Sequence, residues 1–458
     1  MRSRKIRVGA VAAMAVTGLV LAGCASDDDT NEPQSAGGTW PGEGMSECEG
    51  LEQLAEFGDL TGTTVGVYTS ILPPEQEAHE ASYELFTTCT GAEVDYDGSD
   101  QFETQLVVRV KAGNAPDIAY IPQPGLLQTV VASGEVEAAP TPTADNVDEF
   151  FGEDWKGYGT VDGTFYAAPL GASVKSFVWY SPSMFSDNGW EVPETWDDMI
   201  ALSDEIADSG MKPWCVGIES GEATGWVATD WLEDAVLRDA GADTYDQWVN
   251  HEIAFDDPAI VESLDRVGEI MKNPDYVNGG FGDVNSIATT AFQDGGLPIL
   301  DGKCALHRQA SFYAAQWPEG TNVNEDGDVF AFYLPPTNEE NGKPVLGGGE
   351  FVAAFSNEPQ VQAFQTYLST DVWANEKAQA TPGGGWVSAN TGLDIANLTS
   401  PIDQLSAETF QDPEAVFRFD GSDQMPSAIG AGAFWKEMTA WVTGDSSEQA
   451  LGNIENAW

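Results

Sequence analysis

The sequence predicts an α/β protein of two lobes, with the chain passing between them more than once. Three observations predict it. From Thr63 to Val131 short apolar runs alternate with helical stripes in the order strand, helix, strand, helix, strand, the layout of a parallel sheet covered by helices. Further on this alternation pauses and restarts several times. The 458 residues, 42% of them hydrophobic, suffice for more than one core.

Thr63–Tyr68 reads as a buried strand, and Ala78, Ala81, Leu85 and Cys89 stripe one following helix that Gly91 stops. A second strand begins at Val94 and Tyr96. Phe102, Leu106 and Val110 mark the next helix, Pro116–Ile121 the third strand, and a helix then runs through Val131. Ligands of such sheets sit beyond the C-terminal strand ends. The loops there are Thr69–Pro74, Gly98–Asp100 and Pro122–Gly125. Phe177–Tyr180 and Pro213–Ile218 are further strands. Thr195 is the N-cap of a helix with Asp198 at N3. Ala228–Leu237 reads as helix, Cys304–His307, Phe330–Tyr333 and Glu350–Phe355 as strands, and Gln360–Leu368 and Ala433–Val442 as helices.

Charge narrows the function. The chain has 75 acidic against 18 basic residues, a net charge of −57. Four of those bases (Arg2, Arg4, Lys5 and Arg7) sit in the first seven positions. Nucleic acid is excluded as a partner, because phosphate binding needs clustered positive charge. Docking on anionic lipid is disfavoured for the same reason.

The basic N-terminus leads into the apolar stretch Val8–Leu21 and then Leu21-Ala22-Gly23-Cys24. The stretch is too short for a comfortable membrane span and reads as a secretory signal. Leu-Ala-Gly-Cys looks like a bacterial lipobox. Residues 1–23 are therefore expected to be a lipoprotein signal, with Cys24 lipidated, and residues 24–47 a flexible acidic tether. The protein is expected at the outer face of the cell membrane. Cys48, Cys89, Cys215 and Cys304 remain. In an exported chain they imply two disulfides, for which three pairings are possible. The sequence-local pairing, Cys48–Cys89 with Cys215–Cys304, is preferred. Scattered Cys and only three His (His79, His251, His307) give no metal-site pattern. No metal and no cofactor is expected.

Several segments carry a resemblance: Gly113-Asn114-Ala115-Pro116-Asp117-Ile118, Pro122-Gln123-Pro124-Gly125, Pro193-Glu194-Thr195-Trp196-Asp197-Asp198, Lys212–Ile218, Cys304–Gln309, and Met425-Pro426 with Phe434-Trp435. With these the chain resembles the family 1 extracellular solute-binding proteins of ABC importers, the maltose-binding-protein type, and within it the alpha-glucoside-binding branch. The resemblance implies a periplasmic-binding-protein-like type II fold. Its two α/β lobes are joined by a hinge of several strands and close on a sugar, which a membrane permease then receives. It places crossings near Pro169–Val174, Leu306–Arg308 and Ser400–Gln404. Lobe one is then 48–170 plus 308–400, and lobe two 173–304 plus 405–458. The protein is expected to be a monomer.

A neutral sugar offers hydroxyls and apolar C–H faces, which planar side chains and bidentate polar groups recognise. Trp226, in what reads as a loop after a strand, is the leading stacking candidate, followed by Trp435, Phe312 and Trp386, the last behind Gly383-Gly384-Gly385. Asp100 and Gln123 come from strand-end loops, though both also suit helix capping. Lys175 follows the first crossing and Arg308 sits at the second, where its fork suits adjacent hydroxyls. Glu350 follows Gly347-Gly348-Gly349, and Asp423 precedes Met425-Pro426.

The alternative is an exported glycoside hydrolase using a carboxylate pair, since 75 acids always supply one. It lacks the eightfold strand–helix pattern of a barrel. A polyamine ligand suits the acidity, but Lys175 and Arg308 are expected to repel it.

Overall fold

The computed structural model describes residues 40–458, apart from Asn338 and Pro413. The expected signal, Cys24 and the tether up to residue 39 lie outside the described residues. The end of the expected tether is not extended chain. Residues 40–47 form turns, and Trp40 is 8% exposed in a core that includes Cys48, Leu51 and Leu54. An indole this close to the first folded turn buries more apolar surface by docking than by staying in water.

One sheet has five strands in the order Glu93–Gly98, Thr64–Thr69, Ile118–Ile121, Phe351–Ala354, Ala167–Pro169. The first three run parallel and the last two antiparallel to their neighbours. A second sheet orders Phe330–Tyr333, Phe177–Tyr180, Cys304–Arg308 and Lys212–Trp214. A third, of three strands, joins Ala415–Phe419, Lys343–Gly348 and Ser173–Val174. The chain passes from the first sheet to the second through Ser173–Val174, and from the second back to the first through Lys343–Gly348.

Two of the expected boundaries are corrected. Cys304–Arg308 is an interior strand of the second sheet, not a crossing, because Leu306 pairs with both Tyr180 and Trp214. Phe330–Tyr333 also belongs there, paired to Phe177–Tyr180, so 308–400 is not one block of lobe one. Near Ser400–Gln404 lies the helix Pro401–Gln411, and the strand that follows in the third sheet is Ala415–Phe419.

Local chemistry explains other departures. The expected single helix from Ala78 to Cys89 breaks into Glu75–Ala81 and Glu84–Thr90. At the break Ser82 Oγ donates to His79 O at 2.7 Å, and the Ser82 carbonyl accepts from Tyr367 Oη at 2.9 Å. Serine competes for backbone partners in this way and interrupts helices. The strand at 212 ends at Trp214 because the Asn278 side chain takes over, accepting from Val216 N at 2.8 Å and donating to Val216 O at 3.0 Å. Thr195 caps its helix as expected, with Oγ1 accepting from Asp198 N at 3.2 Å.

Cys48 is joined to Cys89 and Cys215 to Cys304, the sequence-local pairing. By chain entropy, loops of 41 and 89 residues gain about 4 and about 4.6 kcal/mol. Among the described residues no helix is long and apolar enough to cross a membrane.

Candidate functional site

A cavity of about 350 Å³ opens where the C-terminal ends of the parallel strands face residues carried by the second sheet's helices and loops. The strand-end loops contribute Ser70–Pro73, Ser99, Asp100, Pro122 and Gln123. Opposite them lie Lys175, Trp226, Phe292, Phe312, Trp435, Asp420 and Asp423, with Glu350 entering from the Gly348-Gly349 turn. Eight of the ten expected ligand residues thus border one cavity: Asp100, Gln123, Lys175, Trp226, Phe312, Glu350, Asp423 and Trp435.

Trp226 is not a loop residue. It is the first residue of the helix Trp226–Asp239. Gly225 precedes it at φ +115°, and a Cβ there would lie 2.1 Å from Trp435 O. Glycine is therefore required both for the backbone angle and for the close approach that sets Trp226 beside Trp435. The Trp226 ring meets Phe292 edge-on at 5.2 Å and lies 6.1 Å from Phe312, so three half-buried rings form one apolar wall. Trp435 is only 4% exposed, so most of its surface is packing rather than open face.

Lys175 sits on the floor. Its Nζ donates to Asp230 Oδ1 at 3.1 Å and to Asp420 Oδ2, lies 3.9 Å from Asp423 and stands 5.5 Å from the Trp226 ring centre. Burial alone would favour the neutral amine, but the surrounding carboxylates hold Lys175 charged, well above the usual lysine range. Asp420 feels burial too, yet Lys175 beside it brings it down to about 2. Burial pushes Asp230 up to about 7, against the pull of Lys175. Asp423 is raised well above the carboxylate range by burial and then by Asp420. Behind this group Glu233 accepts from Gly421 N and Ser422 N, both at 2.9 Å, and fixes the turn that carries Asp420 and Asp423. Asp230, Glu233 and Asp420 bring ligand-type oxygens within 4.8 Å of one another. The cation at that point is the Lys175 ammonium, bonded to two of the three.

Two expected residues are elsewhere. Arg308 is 1% exposed and does not reach the cavity. Its Nη2 donates to Asp230 O at 3.0 Å and to Asp234 Oδ2 at 2.5 Å, and Arg238 Nη1 shares the Asp234 carboxylate. Nη2 is thus committed to the helix Trp226–Asp239, and Nη1 stands 3.5 Å from Asp230 Oδ2 on the same helix. Trp386 is 6% exposed and packs edge-on to Trp373 at 5.6 Å. It faces a neighbouring cavity and only backs Glu350 across Gly171, whose Cβ position lies 3.0 Å from Trp386 Nε1 and 3.1 Å from Glu350 Oε2.

The sequence reading missed Glu75, Glu103, Phe292, Gln316 and Asp420 among the lining residues. It also missed the buried stripe Asp230, Glu233, Asp234, Arg238. That stripe had a signal: polar residues three and four apart inside an otherwise apolar helix. Burial raises Glu75 to about 8, helped by Glu350 and opposed by Lys377. Burial likewise raises Glu103 and Glu350.

Residues 72–375 match the sequence model of the bacterial extracellular solute-binding proteins. The osmoprotective compounds-binding protein GgtB of Synechocystis sp. is 39% identical over 417 residues, 90% of this chain and 96% of that one. The alpha-glucosides-binding periplasmic protein AglE of Rhizobium meliloti is 38% identical over 427 residues, 89% of this chain and 90% of that one. The solved structure of the bacterial solute receptor AcbH, 20% identical, superposes on 86% of this chain and 98% of its own with a TM-score of 0.73, which gives the same fold. These relatives are binding proteins, which sets the hydrolase reading aside. Two sheets with a cavity at the parallel strand ends, and a sequence match over most of the chain, lead to one placement: this protein belongs to the bacterial extracellular solute-binding proteins, as a binding protein and not an enzyme.

Proposed function

We propose that the chain is the substrate-binding component of an ABC sugar importer. In this reading its two lobes close on an alpha-glucoside of the maltose, trehalose or sucrose kind and hand it to a membrane permease. The observation that carries the reading is the composition of the cavity: a wall of three aromatic rings, Trp226, Phe292 and Phe312, within one space shared with Asp100, Gln123, Glu350 and Asp423. A pyranose has apolar C–H faces for such rings and hydroxyls for carboxylates and amides. Gln123 Oε1 is buried and has no hydrogen-bond partner among the described residues, an acceptor suited to a ligand hydroxyl. Lys175, held charged, supplies a donor from the floor.

The relatives support the ligand class by name, one as binding alpha-glucosides and one as binding osmoprotective compounds. The lipobox supports a lipid on Cys24 that keeps a monomer at the outer face of the cell membrane, next to its permease. A thermal-shift screen over maltose, trehalose, sucrose and their monosaccharides tests the reading. A true ligand at 100 times its dissociation constant adds about 2.7 kcal/mol of stability. No shift with any alpha-glucoside would overturn it.

A further inference from the structure

A second cavity, of about 450 Å³, lies beside the first, and Glu75 lines both. On each wall the chain steps from one to the other within a residue. Pro73 lines the first and Pro74 the second, and Gln316 lines the first and Trp317 the second. Between these walls Gln316 Nε2 donates to Glu75 Oε1 at 2.8 Å. This hydrogen bond joins two half-buried side chains where the two spaces adjoin, and such a bond is weak enough to exchange for a ligand's hydroxyl.

The far walls suit a polar, uncharged chain. Gly383, Gly384 and Gly385 present backbone without side chains. The indole N–H of Trp317, a residue 6% exposed, donates to nothing among the described residues, and His79 Nδ1 is also without a partner. Lys377 Nζ donates to Thr381 Oγ1 at 2.8 Å and lines the same space, where Glu75, Glu77 and Glu319 oppose an anionic occupant. The first cavity, at about 350 Å³, is at the small end of ligand pockets, which span roughly 300–1,000 Å³.

We propose that the second cavity is an extension subsite that takes the third and later units of a longer alpha-glucoside, with the Glu75–Gln316 pair as a gate that parts to admit the chain. This rests on the reading that the first cavity binds sugar.

Calorimetric titration with maltose and maltotriose tests it on the wild type and on Ala380→Phe, which fills the second cavity from its wall. The wild type should bind maltotriose at least as tightly as maltose. Ala380→Phe should weaken maltotriose by about tenfold or more and leave maltose within about twofold. Thr321→Trp, on another wall of the same cavity, serves where Ala380→Phe has a lowered unfolding midpoint. Equal effects on both sugars, no effect of either filling variant, or a wild type that binds maltose and rejects maltotriose would overturn the extension subsite alone. Absence of binding for both sugars would overturn the extension subsite, and the sugar-binding reading falls with it only where trehalose and sucrose also fail to bind.

Discussion

Lys175 Nζ donates to Asp230 Oδ1 at 3.1 Å, tying the passage between the two main sheets to the buried helix Trp226–Asp239. The same ammonium holds Asp420, so one cation fixes two elements of the cavity floor. Lys175→Met removes that cation and leaves Asp230, Asp420 and Asp423 buried without it. The expected loss is about 3–5 kcal/mol of unfolding free energy, the range for breaking one side of a buried pair. Urea titration of the ligand-free protein measures it. A midpoint unchanged from wild type would show that the lysine is not structural.

Arg308 separates stability from binding. It is buried against Asp230 and Asp234 and does not border the cavity. Arg308→Met is expected to lose about 3–5 kcal/mol of stability while the folded fraction keeps its sugar affinity within about twofold. A variant of normal stability with much weaker binding would restore Arg308 as a ligand residue.

The pH dependence of stability is expected to carry the mark of Glu75. Its carboxyl is raised from an ordinary 4.5 to about 8, chiefly by burial. Between those values the folded protein keeps a proton that the unfolded chain has released. The stabilising contribution is therefore full below 4.5 and is lost as pH rises through about 8. Glu75→Gln is neutral at every pH. Its unfolding midpoint should exceed that of wild type at about pH 8 and match it at about pH 4, with a scan of midpoint against pH as the measurement. An equal difference at both pH values would mean that Glu75 does not titrate in this window.

Much of the cavity was legible from position in the strand–helix alternation. Asp100 and Gln123 were found because parallel strands put their C-terminal loops at a common edge. Glu350 was nominated from the glycines before it, which let a ligand approach the backbone, and Asp423 from its place ahead of Met425-Pro426. Arg308 was misplaced because a strand-end arginine reads alike whether its fork meets a sugar or a buried helix. Only the three-dimensional course of the chain brings Asp234 to it. Glu75 escaped notice since an acid in a first helical turn needs no ligand to account for it. Trp386 was drawn in by the glycines before it, and its packing on Trp373 depends on a long-range fold that periodicity does not encode.

The membrane anchor is tested separately from the fold. Cys24→Ser should move the protein from the membrane fraction to the soluble fraction and leave sugar affinity within about twofold, because the anchor proposed at Cys24 lies outside the described binding body. Retention in the membrane fraction would place the anchor elsewhere in the chain.

The central claim is that Trp226 and its neighbouring rings form the stacking face for an alpha-glucoside. Its most direct test is calorimetric titration of the wild type and Trp226→Ala with maltose, trehalose and sucrose. Because Trp226 also packs on Phe292, the variant is expected to lose about 1–2 kcal/mol of ligand-free stability and still fold. The wild type should bind at least one of these sugars saturably, and Trp226→Ala should weaken that binding by about 1–3 kcal/mol, roughly 5- to 150-fold. Affinity in the folded variant equal to that of wild type, or a wild type with no saturable heat for any of the three, would contradict it.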